Sequence, residues 1–226
     1  MSSESPLNND SYRFERKFFI RRNRLEHFLV DMLKNGYSEI FHRRQINNLY
    51  LDNLTFDDVI DNVEGFSSRE KSRIRWYGGN FEESKKVLEQ KIKSDDVNRK
   101  ESVKLGLLKL TDLESTDKLY SEVVDVLNNK KEYLHKIHLK KPALLNRYSR
   151  NYFMSADDEI RITLDQDLYY YSPIFMTEYH DRNIVIELKS NSDIIMQNNM
   201  FHDLTLSKYS KYVKGILSTS TFQSIY

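Results

Sequence analysis

The sequence predicts an α+β fold: an antiparallel sheet with one charged and one apolar face, closed into a barrel around its charges, with helices packed outside. Three observations lead there. Strand-like runs follow one another with short breaks, and within each run charged residues share one parity and apolar residues the other. The composition, 39% hydrophobic and 12% aromatic among 226 residues, is that of a chain that folds.

The opening MSSESPLNNDS has neither a basic stretch nor an apolar run, so residues 1–11 read as a disordered tail and 12–226 as a single domain. YRFERKFFI (12–20) reads as the first strand, and Leu25, Phe28, Leu29, Met32 and Leu33 place a helix over 22–34. QINNLYLD (45–52) is a second strand, after which Thr55 caps a short helix ending near Gly65. Strands follow at 68–77, 85–93 and 98–105. Leu119, Val123, Val126, Leu127, Leu134 and Ile137 step by threes, fours and sevens, which predicts one long amphipathic helix over 116–140. After Pro142 strands return at 144–154, 159–171 and 183–190, and short helices near 192–201 and 207–217 complete the chain.

Parity then sorts the charges. In 69–77, Arg69, Lys71, Arg73, Arg75 and Tyr77 oppose Ile74 and Trp76. LEQKIKS sets Glu89, Lys91 and Lys93 against Leu88 and Ile92, and RKESVKL sets Lys100 and Lys104 against Val103 and Leu105. EIRITLD sets Glu159, Arg161, Thr163 and Asp165 against Ile160, Ile162 and Leu164. IVIELK sets Val185, Glu187 and Lys189 against Ile184, Ile186 and Leu188, and the first strand puts Arg13, Glu15 and Lys17 on one side. A solvated face explains any one strand. Repetition over six strands, with Arg and Lys dominant, calls for an anion, because like charges side by side repel.

Lys plus Arg number 35 against 34 acidic residues, so basic sites arise by local segregation and no overall excess points to nucleic acid or a membrane surface. The absence of cysteine excludes disulfides and thiolate metal sites. No stretch approaches the roughly 18 apolar residues of a membrane span, and the expectation is a cytoplasmic protein. A closed sheet with its apolar faces outward would enclose a basic tunnel whose arginine forks and lysines suit phosphate oxygens. A glutamate among them suits a hard divalent cation, Mg²⁺ or Mn²⁺.

FERKF, NLYLDN, SRIRWYGG, LEQKIKS, RKESVKL, NRYSRNYF, EIRITLD, VIELK and LSKYSKYVKG, in that order, resemble the triphosphate tunnel metalloenzymes. Within them the chain is most similar to the VTC (vacuolar transporter chaperone) polyphosphate polymerase domain, from about Tyr12 to Gly215. The resemblance implies an eight-stranded antiparallel barrel holding a triphosphate or polyphosphate. It implies phosphate contacts from Lys17, Lys91, Lys104, Tyr148, Lys189, Lys208 and Lys211, the last two on the final helix. It gives Arg73, Arg75, Arg150 and Arg161 the stabilisation of charge during transfer, and makes Glu187 the metal ligand, with Glu15 and Glu89 either further ligands or structural ion-pair partners. Where triphosphatase-type members begin Glu-x-Glu-x-Lys, this chain has Arg13, which removes a potential ligand and favours the polymerase branch. Eukaryotic polymerases of the family also carry an SPX domain and a membrane segment; neither is recognised here, so coupling to transport is expected to need a separate membrane subunit.

The implied activity is transfer of the γ-phosphate of ATP to inorganic polyphosphate with release of ADP. Its rivals are a metal-dependent triphosphatase or nucleoside triphosphatase and a sensor that binds polyphosphate or nucleotide without turnover. Nucleic-acid binding has no motif to support it. His135 and His138, three apart, read as surface residues, Trp76 as core, Tyr169, Tyr170 and Tyr171 as a strand end, and Gly78 and Gly79 as a turn.

Overall fold

Alternating apolar positions draw much of the chain into strands. In the computed structural model, residues 14–79, 82–95, 97–129, 134, 137–191, 201 and 204–220 are described. The expected tail (1–11), Arg13, His135 and nearly all of the expected helix at 192–201 lie outside them. The order is β1 (Phe14–Ile20), a 3₁₀ turn (Arg22–Arg24), α1 (Leu25–Lys34), β2 (Ser38–Asp52), α2 (Asp57–Glu64) and β3 (Arg69–Tyr77). Then come β4 (Ser84–Ser94), β5 (Val97–Leu108), α3 (Thr116–Asn128), β6 (Lys141–Met154) and β7 (Ile160–Ser172). β8 (Thr177–Asp181), β9 (Ile184–Ser190), β10 (Thr205–Leu206) and α4 (Lys211–Thr219) follow.

These strands form one sheet in the order β10-β1-β9-β7-β6-β2-β3-β4-β5, with β8 on β7. β1 pairs antiparallel with β10 and β9, β3 with β2 and β4, β5 with β4, and β7 with β9. The expected antiparallel sheet with outer helices is present, but among the described residues it has ten strands rather than eight, in a linear order that hydrogen bonding does not close. The two additions, β8 and β10, are short and mostly exposed and leave no alternating pattern to read. The β5 end of the order carries exposed Arg99, Lys100 and Lys104, charges of the kind that blunt a strand edge against further pairing.

The chain divides into two compact units. The first, built from residues 1–44, 149–168 and 181–209, has its own core of Phe18, Ile20, Phe153, Ile162, Leu164, Ile186 and Leu188. Phe28 and Met32 of α1, one helical turn apart, complete that core, together with Tyr37. In the second unit Leu49, Leu51, Ile74, Trp76, Leu88, Val103 and Leu105 make one apolar face. Leu119, Val123 and Leu127 of α3, spaced by fours, cover it. Each such fully buried side chain contributes about 1.5–3 kcal/mol. Trp76 is core, as expected, and its ring carries the Lys86 ammonium 4.6 Å above its centroid. A register shift at Lys86/Val87 accompanies this buried lysine, which donates to Ser84 Oγ and the Leu108 carbonyl.

Two helices depart from expectation. α3 stops at Asn128, and residues 137–140 form a turn closed by the Lys140 amide on the Ile137 carbonyl, so no single helix spans 116–140. Ile137 still reaches the core, which is why its spacing mimicked a continued helix. Thr55 does not cap α2. The turn runs through Phe56 at φ 58, while Asp52 accepts the Asp58 and Val59 amides and Asn53 accepts that of Asp57.

Candidate functional site

Strand register assembles a charged face in each unit. In the second unit it aligns Tyr50, Arg73, Glu89 and Ser102 in one row across β2 to β5. Asn48, Arg75, Val87 and Lys104 form the next row, and Lys71, Lys91 and Lys100 the row on the other side. Glu89 is the hub. Arg73 donates to its Oε2 from Nε (2.9 Å) and Nη2 (2.6 Å), Arg75 Nη1 lies 3.5 Å from the same oxygen, and Lys100 Nζ is 3.2 Å from Oε1. Burial alone would raise this carboxyl, but Arg73, Arg75 and Lys100 outweigh it and hold the group down at about 2. Arg75 Nε also donates to Asn48 Oδ1 at 2.8 Å, and Arg73 Nη1 reaches the Tyr50 hydroxyl.

Helix α4 sets its N-terminal turn on this face. Ser210 caps the helix and accepts from Lys71 Nζ at 3.0 Å, and the Lys211 ammonium lies 4.7 Å over the Tyr148 ring. Tyr212 stacks on Tyr50 and donates to Asp52, the carboxylate that caps α2. Gly215 permits this approach: a Cβ there would run into Leu144 and come within 2.6 Å of Tyr170.

In the first unit β1 pairs with β9 and β9 with β7, so Glu15, Lys189 and Arg161 form one row and Lys17, Glu187 and Thr163 the next. Signs alternate here. Lys17 lies 2.9 Å from Glu15, while Lys189 lies 3.8 Å from Glu15 and 3.5 Å from Glu187. Arg150 forks onto the buried Asp165 through Nε (2.5 Å) and Nη2 (2.7 Å). Arg161 lies 5.7 Å over the Tyr152 ring. Sequence reasoning missed Arg44, whose guanidinium lies 4.1 Å over Phe41 and donates to the Tyr152 hydroxyl. It falls on residues 38–44 of β2, a stretch not read as strand, though Ile40 and Phe41 were a signal for one.

The expected residues therefore fall into two groups. Arg73, Arg75, Lys91, Lys104, Tyr148 and Lys211 belong to the second unit, and Lys17, Arg150, Arg161, Glu187, Lys189 and Lys208 to the first. Lys208 is exposed and precedes α4 rather than standing on it, because the helix begins only after the Ser210 cap. Glu15 and Glu89 are both engaged in ion pairs.

Among the described residues no group of three or more His, Asp or Glu could hold a metal by itself. A divalent cation bound mainly through phosphate oxygens needs fewer protein ligands, typically one or two carboxylates. Glu187 offers one such carboxylate, with Lys189 Nζ 3.5 Å away. Its register neighbour Thr163 presents a buried hydroxyl with no hydrogen-bond partner among the described residues, a second oxygen donor beside the carboxylate.

No curated protein matches this chain. Among solved structures, it is similar to a Vibrio parahaemolyticus protein described as a candidate adenylate cyclase, at 16% identity and TM-score 0.50, covering 92% of this chain and 98% of that one. It is also similar to a Hippeastrum protein described as a candidate adenylyl cyclase with a dominant triphosphatase activity, at 14% identity and TM-score 0.53, covering 91% and 96%. Both likenesses concern the fold. The family described as the VTC domain matches residues 12–220, nearly the whole chain, and the chain belongs to that family.

Proposed function

We propose that this chain is a divalent-cation-dependent polyphosphate polymerase, which moves the γ-phosphate of ATP onto the end of an inorganic polyphosphate chain and releases ADP. The observation that carries the reading is the cationic excess on the β3–β5 face of a VTC-family chain: Arg73, Arg75, Lys71, Lys91, Lys100 and Lys104 surround Glu89, the carboxylate at its centre. Such a face needs an anion with several charges.

Phosphoryl transfer through a loose transition state depends chiefly on positioning and charge neutralisation, so no protein nucleophile is required. A terminal oxygen of the polyphosphate attacks the γ-phosphorus, the bond from that phosphorus to the bridging oxygen breaks, and the electron pair leaves with ADP. Arg73 and Arg75 hold phosphate oxygens with fork geometry, and Arg150 and Arg161 stabilise the developing charge. Lys17, Lys91, Lys104, Tyr148, Lys189, Lys208 and Lys211 hold and orient the remaining phosphates. Glu187, with Thr163 beside it, holds Mg²⁺ or Mn²⁺, which when bound neutralises phosphate charge. With ATP as donor the reaction belongs in the cytoplasm. Among the described residues no helix is long and apolar enough to cross a membrane, and a separate membrane subunit would couple synthesis to transport.

The Hippeastrum neighbour's described triphosphatase activity, on a similar fold, favours hydrolysis as the second reading. Incubating the purified chain with ATP and Mn²⁺ or Mg²⁺ and resolving the products on a gel tests both. The polymerase gives ADP and a polymer ladder, the hydrolase ADP and free phosphate. Glu187→Gln should abolish metal-dependent turnover while metal-free tripolyphosphate binding stays within about threefold of wild type. Unchanged turnover in that variant would remove Glu187 from the metal role.

A further inference from the structure

We infer that Glu89 is a built-in stand-in for phosphate: its carboxylate occupies the Arg73 fork and pairs with Arg75 and Lys100 on the β3–β5 face when no polyanion is bound, and yields these cations when one arrives. The inference rests on the reading of this face as the polyanion site, and adds to it a residue that sets affinity and product release.

Carboxylate and phosphate oxygens compete for the same donors, because both accept the paired N–H groups of a guanidinium. Arg73 directs Nε and Nη2 at one Glu89 oxygen, at 2.9 and 2.6 Å, and Arg75 approaches that same oxygen at 3.5 Å. Lys100 takes the other oxygen at 3.2 Å. Glu89 lies mid-row between Arg73 and Ser102, with lysines 71, 91 and 100 in the row beside it. Its side chain is 11% exposed and that of Arg75 14%, whereas Arg73 at 26% and Lys100 at 41% stay open to the solvent from which a polyanion would arrive.

Three cations against one carboxylate leave a charge of +2 within the cluster, enough to attract a polyanion yet less than the +3 the same residues would carry with Glu89 neutral. The carboxylate thus serves two purposes. It keeps neighbouring cations from repelling one another while the face is empty, which preserves the fork geometry. It also competes with bound phosphate. A polymerase must let its product slide on or leave after each addition, and a face without an internal competitor would hold a long polyanion too tightly. Glu89 is a positioning residue, acting through Arg73, Arg75 and Lys100, and is distinct from Glu187, which lies in the other unit.

The test is calorimetric titration of the intact chain with tripolyphosphate in EDTA, so that neither metal nor turnover enters. Glu89→Gln should bind about tenfold more tightly than wild type. Glu89→Asp, which keeps the charge but withdraws it by one methylene, should tighten binding by about threefold. A melting curve of each chain with and without tripolyphosphate checks folding, and the ligand-induced rise in Tm should be larger in both variants than in wild type. Should the Gln variant be unfolded at the assay temperature, the Asp variant decides the matter. Folded variants that bind as wild type does, or more weakly, would overturn the role of Glu89 alone. No binding by any of the three chains would overturn it together with the reading of the face as a polyanion site, and a product gel showing hydrolysis would bear only on the polymerase.

Discussion

Arg73 and Arg75 stand two apart on β3 and share the partner that Lys100 reaches from β5. Both converge on Glu89, whereas Lys71 donates to Ser210 at the start of α4. Arg73→Ala and Arg75→Ala should each weaken tripolyphosphate binding by roughly 10–100-fold, the effect of a charge-assisted hydrogen bond. Lys71→Ala should cost less than about fivefold. Equal losses in titrations of all three would mean a diffuse basic patch. Glu89 also sets an acid limb of stability. Its carboxyl lies at about 2 in the folded chain, below the roughly 4.3 of an unfolded glutamate. Its contribution is therefore in place above about pH 4.3 and is lost as pH falls toward 2. The stability difference between wild type and Glu89→Gln, from urea unfolding, should shrink by roughly 1–2 kcal/mol between pH 5 and pH 3. A constant difference would contradict the depressed carboxyl.

At the scale of elements, the informative contact is α4 against the sheet. A helical glycine replaced by alanine ordinarily gains about 1 kcal/mol. At Gly215 the sign should reverse, because the added methyl meets Leu144 and the buried ring of Tyr170. Gly215→Ala should cost roughly 1–3 kcal/mol, a fall in Tm of several degrees. It should also weaken tripolyphosphate binding, since Lys211 and the Ser210 cap that meets Lys71 move with the same helix. A variant as stable as wild type would show that α4 tolerates a looser seat. The alternation that betrays a half-buried strand made β3, β4, β5 and β9 legible, with Ser72, Ile74 and Trp76 buried on one side of β3 and the charges on the other. The first half of β2 was hidden because its exposed residues do not alternate with apolar ones, and β10, at two residues, is too short to carry a period.

For the molecule as a whole, the sequence carried the family and the sorting of charge, and could not carry register. Parity says that Arg73 faces as Arg75 does and Glu89 as Lys91 does; only the pairing of β3 with β4 makes Arg73 and Glu89 partners. The same holds for Arg150 and Asp165, which lie 15 residues apart in sequence and meet as a bidentate pair across β6 and β7. Closure of the sheet was likewise a property of strand ends that local pattern does not encode, and the hydrogen bonding runs linearly from β10 to β5. As a polymerase, this VTC-family chain would pass phosphate to phosphate rather than to water. The most direct measurement follows ATP labelled in its γ-phosphate, with Mn²⁺ or Mg²⁺, and compares ADP formed with free phosphate released over a time course. A polymerase forms ADP well in excess of free phosphate, with the label accumulating in a polymer that lengthens with time. Free phosphate equal to ADP at every time point, with no labelled polymer, would contradict it.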